Sequence, residues 1–96
     1  MTIPHEVEQD IGGLIRALHA LGAEVINARY DPESFGNYEI SFRAPRVAFR
    51  ITRDRSQYIL HGPPRQELEA AGLWRAFDYR SEFEETLLVW LRSFAA

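Results

Sequence analysis

Between residues 37 and 61 apolar side chains fall on alternate positions: Tyr38, Ile40 and Phe42, then Val47, Phe49 and Ile51, then Tyr58 and Leu60. A period of two belongs to a strand with one face on a core and the other in water. The stretch predicts consecutive strands joined by short turns. A slip of one residue would send every apolar side chain into solvent, so the parity of the pairing is constrained. Setting Phe42 opposite Val47 leaves a four-residue turn, 43–46, and brings Ile40 to Phe49 and Tyr38 to Ile51. Setting Ile51 opposite Tyr58 brings Phe49 to Leu60. One continuous apolar face results. The other face then carries Glu39, Ser41 and Arg43, then Arg46, Ala48, Arg50 and Thr52, then Gln57, Ile59 and His61, with Glu39 and Arg50 directly opposite each other.

A further strand is expected over 23–30, with Ile26, Ala28 and Tyr30 on one face and Val25, Asn27 and Arg29 on the other. Pro32 and Gly36 punctuate the connection that follows it.

Outside the strands the period changes to that of helices. Val7, Ile11, Leu14, Leu18 and Leu21 recur at alternating spacings of four and three, with Ile15 widening the stripe. This predicts an amphipathic helix over 4–21. Thr2 is the expected cap, Pro4 suits the first turn, and Glu6, Glu8 and Asp10 favour the positive helix end. Gly22 marks the stop. Gly12 and Gly13 imply a close crossing over the sheet, a kink, or an approach site for a second subunit.

After Gly62-Pro63-Pro64 a short helix is expected over 65–71, ending at Gly72. The aperiodic segment 73–77, rich in bulky apolar residues, should tuck under a closing helix over 82–94. Ser81 with Glu84 fits a capping box there. Phe83, Leu87, Trp90, Leu91 and Phe94 mark the buried face of that helix. The fold class is therefore α+β, one domain over 1–96: N-terminal helix, four-stranded antiparallel β-meander, short helical turn and C-terminal helix, with the helices on one face of the sheet.

A chain of 96 residues can bury enough surface to fold alone. It has no cysteine, which excludes disulfides and thiol chemistry and fits a reducing compartment. The acidic N-terminus lacks the basic segment and apolar core of a signal peptide, and no apolar run approaches the ~20 residues of a membrane span. A cytoplasmic location, away from membranes, is the expectation. All eleven basic residues are arginine. This fits coding sequence rich in G and C, or selection for planar bidentate donors. Six of the arginines, against four acids, lie in 25–64, so the strands are mildly basic between acidic flanks. The net charge of −3 argues against a nucleic-acid binder, as does the assignment of the strand aromatics to the core.

Little catalytic chemistry is legible. His5, His19 and His61 lack metal-ligand spacing, and Gly12-Gly13 lacks that of a phosphate loop, so no metal or cofactor is expected. No serine sits in a nucleophile elbow. The enzymatic alternative is a small acid–base hydrolase or nuclease using Glu39 and His61 on the open sheet face, with Arg50 as charge clamp. The leading expectation is a non-enzymatic protein-binding surface formed by Arg43, Arg46, Arg50 and Ile59, with Phe35 in the 31–37 loop as a second contact. The chain would act as a monomer or homodimer, and a structural homodimer is the third reading.

The segments SFGNYEISFR (34–43), VAFRITRDRSQYILHGP (47–63) and LWRAFDYRSEFEETLLVWL (73–91) resemble small bacterial α+β proteins, among them immunity proteins of polymorphic toxin systems. The resemblance covers just under half the chain and consists mostly of core and turn residues. It implies a cytoplasmic, cofactor-free protein whose partner is a cognate toxin, neutralised by occlusion of its active site. It transfers no individual binding residue.

Overall fold

The computed structural model describes residues 2–34 and 36–94. The order of elements is α1 (His5–Ala20), β1 (Glu24–Asp31), β2 (Asn37–Arg43), β3 (Ala48–Asp54), β4 (Gln57–His61), α2 (Arg65–Ala70) and α3 (Arg80–Arg92). The strands form one antiparallel sheet in the order β1-β2-β3-β4, the expected meander. Tyr38, Ile40 and Phe42 of β2, Phe49 and Ile51 of β3, and Tyr58 and Leu60 of β4 are buried beneath Val7, Ile11, Leu14 and Leu18 of α1 and Phe83, Leu87, Trp90 and Leu91 of α3. Removing one such Leu or Phe from water stabilises by about 1.5–3 kcal/mol, so this single cluster dominates the fold energy.

The parity of the strands is as expected, but the register differs by two residues in both hairpins. Phe42 faces Phe49 and Ile40 faces Ile51, so Tyr38 faces Arg53. Ile51 faces Leu60, and Arg53 also faces Tyr58. The cause lies in the turns. The Ala44 N–H donates to the Val47 carbonyl at 2.8 Å, which draws Val47 out of the strand and tightens the corner at Pro45-Arg46. The Phe42 and Phe49 rings then stack at 5.2 Å.

The second hairpin closes through Arg55 and Ser56 alone, both left-handed with φ 52° and 67°. That is the twist-matched two-residue turn, which normally selects Asn-Gly. Asn37 braces it: its carbonyl Oδ1 accepts from Arg55 N–H (3.0 Å) and its Nδ2 donates to Asp54 Oδ1 (3.1 Å). A two-residue offset keeps every apolar side chain on the same face, so the hydrophobic pattern alone cannot resolve it.

Two further local expectations are corrected. The pairing of β1 shifts between Val25 and Asn27, and this bulge turns Val25 toward the core while Ile26 is 45% exposed. Neither helix cap predicted from side chains forms. Pro4, without a side-chain bond, precedes α1, and its carbonyl accepts from Val7 and Glu8. Helix α3 starts at Arg80, so Ser81 is already inside it and caps nothing. Upstream, Phe77 exchanges two backbone hydrogen bonds with Tyr58 (2.8 and 2.9 Å), which covers part of the outer edge of β4 and sets where the chain re-enters a helix.

The stop of α1 is as read: Gly22 at φ 94° lets Ala23 N–H reach the Leu18 carbonyl and Gly22 N–H the His19 carbonyl. The mid-helix glycines accompany a kink. Ile11 departs from helical geometry (φ −125°, ψ 24°), while Gly13 faces open space. No described helix is long and apolar enough to cross a membrane.

Candidate protein-docking face

The sheet face away from the helices is built in transverse rows by the observed register. Arg29, Glu39, Thr52 and Ile59 form one row, and Asn27, Ser41, Arg50 and His61 the next. Beyond them Glu24, Arg43 and Ala48 align at one end, and Asp31, Asn37, Asp54 and Gln57 at the other. Strand alternation places all of these opposite the core residues, so no helix packs on them.

Glu39 and Arg50 do interact, though diagonally rather than directly opposite. Glu39 faces Thr52 and Arg50 faces Ser41, and the ion pair spans 3.5 Å from Arg50 Nε to Glu39 Oε2. Both side chains are over two-fifths exposed, which limits the pair to at most about 1 kcal/mol. His61, opposite Arg50, is half-buried. Burial, and next the Arg50 charge, hold its imidazole below the usual histidine range, with Glu39 opposing them. Among the described residues, none of the side chains of Asn27, Ser41, Arg50 and His61 forms a hydrogen bond within the chain.

Three depressions surround this row. The one at Arg50, about 380 Å³, is lined by Ile26, Ser41, Ala48, Arg50, His61 and Gly62. Gly62 has no room for a side chain: a Cβ would lie 2.8 Å from the Ala48 carbonyl oxygen. A second, about 240 Å³, lies between Ile59 and the half-exposed Trp74, over which the Arg65 guanidinium stacks at 4.9 Å. The third, about 270 Å³, lies toward Asp31 and Asp54, with Arg29 and Glu39.

The structure thus brings together Arg43, Arg50 and Ile59 of the expected surface. Arg46 departs from it. It occupies the β2–β3 turn and borders a recess with Leu21, Leu91 and Phe94. Phe35 lies outside the described residues. Among the described residues no group of three or more His, Asp or Glu is placed to hold a metal ion.

One constellation is missed by the sequence reading, on the helix side of the sheet. Asp10 Oδ2 accepts from the Tyr38 and the Tyr58 hydroxyls, each at 2.8 Å. Arg53 Nε lies 3.7 Å from the same oxygen, and Arg80 donates to the Asp10 carbonyl at 2.9 Å. Burial, then the bond to Asp10, raises both phenols; Tyr58 is pushed up to about 12 and Tyr38 further. Glu84 is raised as well, by burial against the opposing charge of Arg80. The available signal was position: Asp10 stands three residues after Val7 and four before Leu14, on the apolar stripe rather than the wet face. The cluster joins α1 to β2, β3, β4 and α3. Its hydroxyls point inward and are spent on one carboxylate, so it is a brace of the fold rather than a reactive site.

Comparison with protein-family models, with curated proteins and with solved structures finds no match to this chain.

Proposed function

We propose that this chain is a non-enzymatic protein-binding module that receives its partner on the open face of the sheet. The observation that carries this reading is the row Asn27, Ser41, Arg50 and His61: four polar side chains abreast on a rigid sheet, with hydrogen-bonding capacity unused within the described chain. A preformed sheet loses little conformational freedom on docking, and arginine is a frequent energetic centre of interfaces. Ile26 and Ile59 supply apolar area on either side of the row. The specific form of the reading is a toxin-neutralising immunity protein. It rests on the resemblance of residues 34–43, 47–63 and 73–91 to such proteins and on the small, acidic, cysteine-free chain.

The test is co-expression with a panel of candidate toxins from polymorphic toxin systems, followed by calorimetry of any purified pair. Protection and a stable complex are expected, and both should be lost in Arg43→Glu/Arg50→Glu with circular dichroism unchanged. Full protection by that variant would move the docking surface elsewhere. Absence of any complex would remove the immunity reading.

A second reading has one observation behind it. Glu39, Arg50 and His61 lie in adjacent rows of neighbouring strands, and the imidazole is held toward its neutral, proton-accepting form. Phosphodiester or ester hydrolysis that disappears in His61→Ala would favour a hydrolase over a binding module.

A further inference from the structure

We propose that the recess beside Arg50 is a carboxylate subsite, taking an Asp or Glu side chain presented by the partner protein. The inference rests on the docking reading and names what that face recognises. The recess of about 380 Å³ gathers the Ser41 hydroxyl, the Arg50 guanidinium and the His61 imidazole. None of the three is hydrogen-bonded within the described chain. Glu39 holds Arg50 only at ion-pair distance, 3.5 Å, which leaves the guanidinium fork available. Such a fork binds a carboxylate through two parallel charge-assisted bonds, roughly twice as strong as neutral ones. A hydroxyl and a neutral imidazole each add one donor.

The walls fit an amino-acid side chain. Ile26, 45% exposed, and Ala48 offer apolar contact to the methylenes that carry the carboxylate. Gly62 keeps the rim low, because nothing projects from it. The recess is shallow and widely open, so an extended or helical partner surface can lie across it while one side chain enters. A cation is disfavoured, since Arg50 lies in the recess and Glu39, the nearest ion-paired acid, is engaged with it.

His61 gives the subsite its own reporter. The charged groups facing it are Arg50 on β3 and Glu39 on β2, with Arg75 lining the neighbouring recess that His61 shares. An anion between Arg50 and His61 offsets the Arg50 charge, so occupancy raises the proton affinity of the imidazole.

The experiment is a nuclear magnetic resonance titration of the full chain with N-acetyl-Val-Glu-Val-amide. The glutamine counterpart and sodium acetate are titrated in parallel. The expected result is perturbation centred on Ser41, the Arg50 side chain and His61, with an upward move of the His61 titration. Affinity should be at least about threefold higher for the glutamate peptide than for the glutamine peptide. Arg50→Gln should abolish the difference, and Ser41→Ala should reduce it. Equal affinity of the two peptides overturns the carboxylate inference while leaving docking on this face intact. Acetate binding as tightly as the glutamate peptide overturns the protein side chain as its source, and absence of perturbation at the three residues overturns the subsite. Conversely, toxin neutralisation insensitive to charge reversal at Arg43 and Arg50 removes the docking reading, whatever the peptides do.

Discussion

Tyr38 and Tyr58 stand on strands separated by β3, yet their hydroxyls donate to the same oxygen of Asp10, 2.8 Å from each. One helical carboxylate thereby sets how α1 crosses the sheet. Removing it leaves two inward-facing hydroxyls without their acceptor and takes the ion-pair partner, 3.7 Å away, from the buried Arg53 Nε, which forms no hydrogen bond among the described residues. Asp10→Ala should therefore cost about 3 kcal/mol, against about 1 kcal/mol for Tyr38→Phe. Urea unfolding of the single and double variants checks this. The effects should fall clearly short of additivity, because the residues share one network.

Burial of the two phenols, reinforced by their bonds to Asp10, makes stability fall in alkali. The Tyr58 phenol titrates at about 12 in the fold and at 10.0 in the unfolded chain, and Tyr38 is shifted in the same direction. Above the unfolded value the unfolded state has lost its proton while the folded state retains it. The unfolded state then binds fewer protons, so stability drops as pH rises. The contribution is complete below pH 10.0 and is lost toward about 12. Urea midpoints measured from about pH 9 to about pH 11 should fall more steeply for the wild type than for Tyr58→Phe.

Stability and binding should separate on the open face. The Glu39–Arg50 pair is exposed and diagonal, so Arg50→Ala should change the unfolding free energy by less than about 0.5 kcal/mol. Gly62→Ala is the contrasting case at the rim of the same recess. Its φ of 119° and the 2.8 Å approach to the Ala48 carbonyl leave a methyl group nowhere to go, and a loss of about 2–4 kcal/mol is expected by thermal unfolding.

The β3–β4 turn should be improvable. Arg55 and Ser56 both occupy left-handed backbone, which costs about 1–2 kcal/mol per non-glycine residue. Arg55→Asn with Ser56→Gly matches the turn type and should stabilise by about 1 kcal/mol, read as a higher melting temperature.

The two tryptophans should behave as opposites. Trp90 is 6% exposed and packs edge-on against Phe49 at 5.7 Å, whereas Trp74 is 50% exposed. Acrylamide should quench the fluorescence of Trp90→Phe, which retains Trp74, several times more strongly than that of Trp74→Phe. A partner covering the Ile59–Trp74 recess should protect Trp74 from the quencher.

What the sequence determined by itself was whatever repeats locally. The period of two across 37–61 and the four-three spacing of Val7 to Leu18 decide which face of each element meets the core, and the burial follows them. Gly22 and Gly72 end their helices for equally local reasons. The order of elements and the meander follow from short connections between alternating segments.

Tertiary structure decided whatever local pattern leaves degenerate. Registers two residues apart bury the same side chains, so the turn at Ala44–Val47 and the braced Arg55-Ser56 corner made the choice. That choice placed Arg53 beside Asp10 and made the Glu39–Arg50 pair diagonal. The bulge at Ile26 reversed the expected facing of Val25, and the Phe77–Tyr58 bridge started α3 before its capping serine. The Asp10 brace draws its partners from four elements up to 70 residues away, a separation at which no periodicity in the chain speaks.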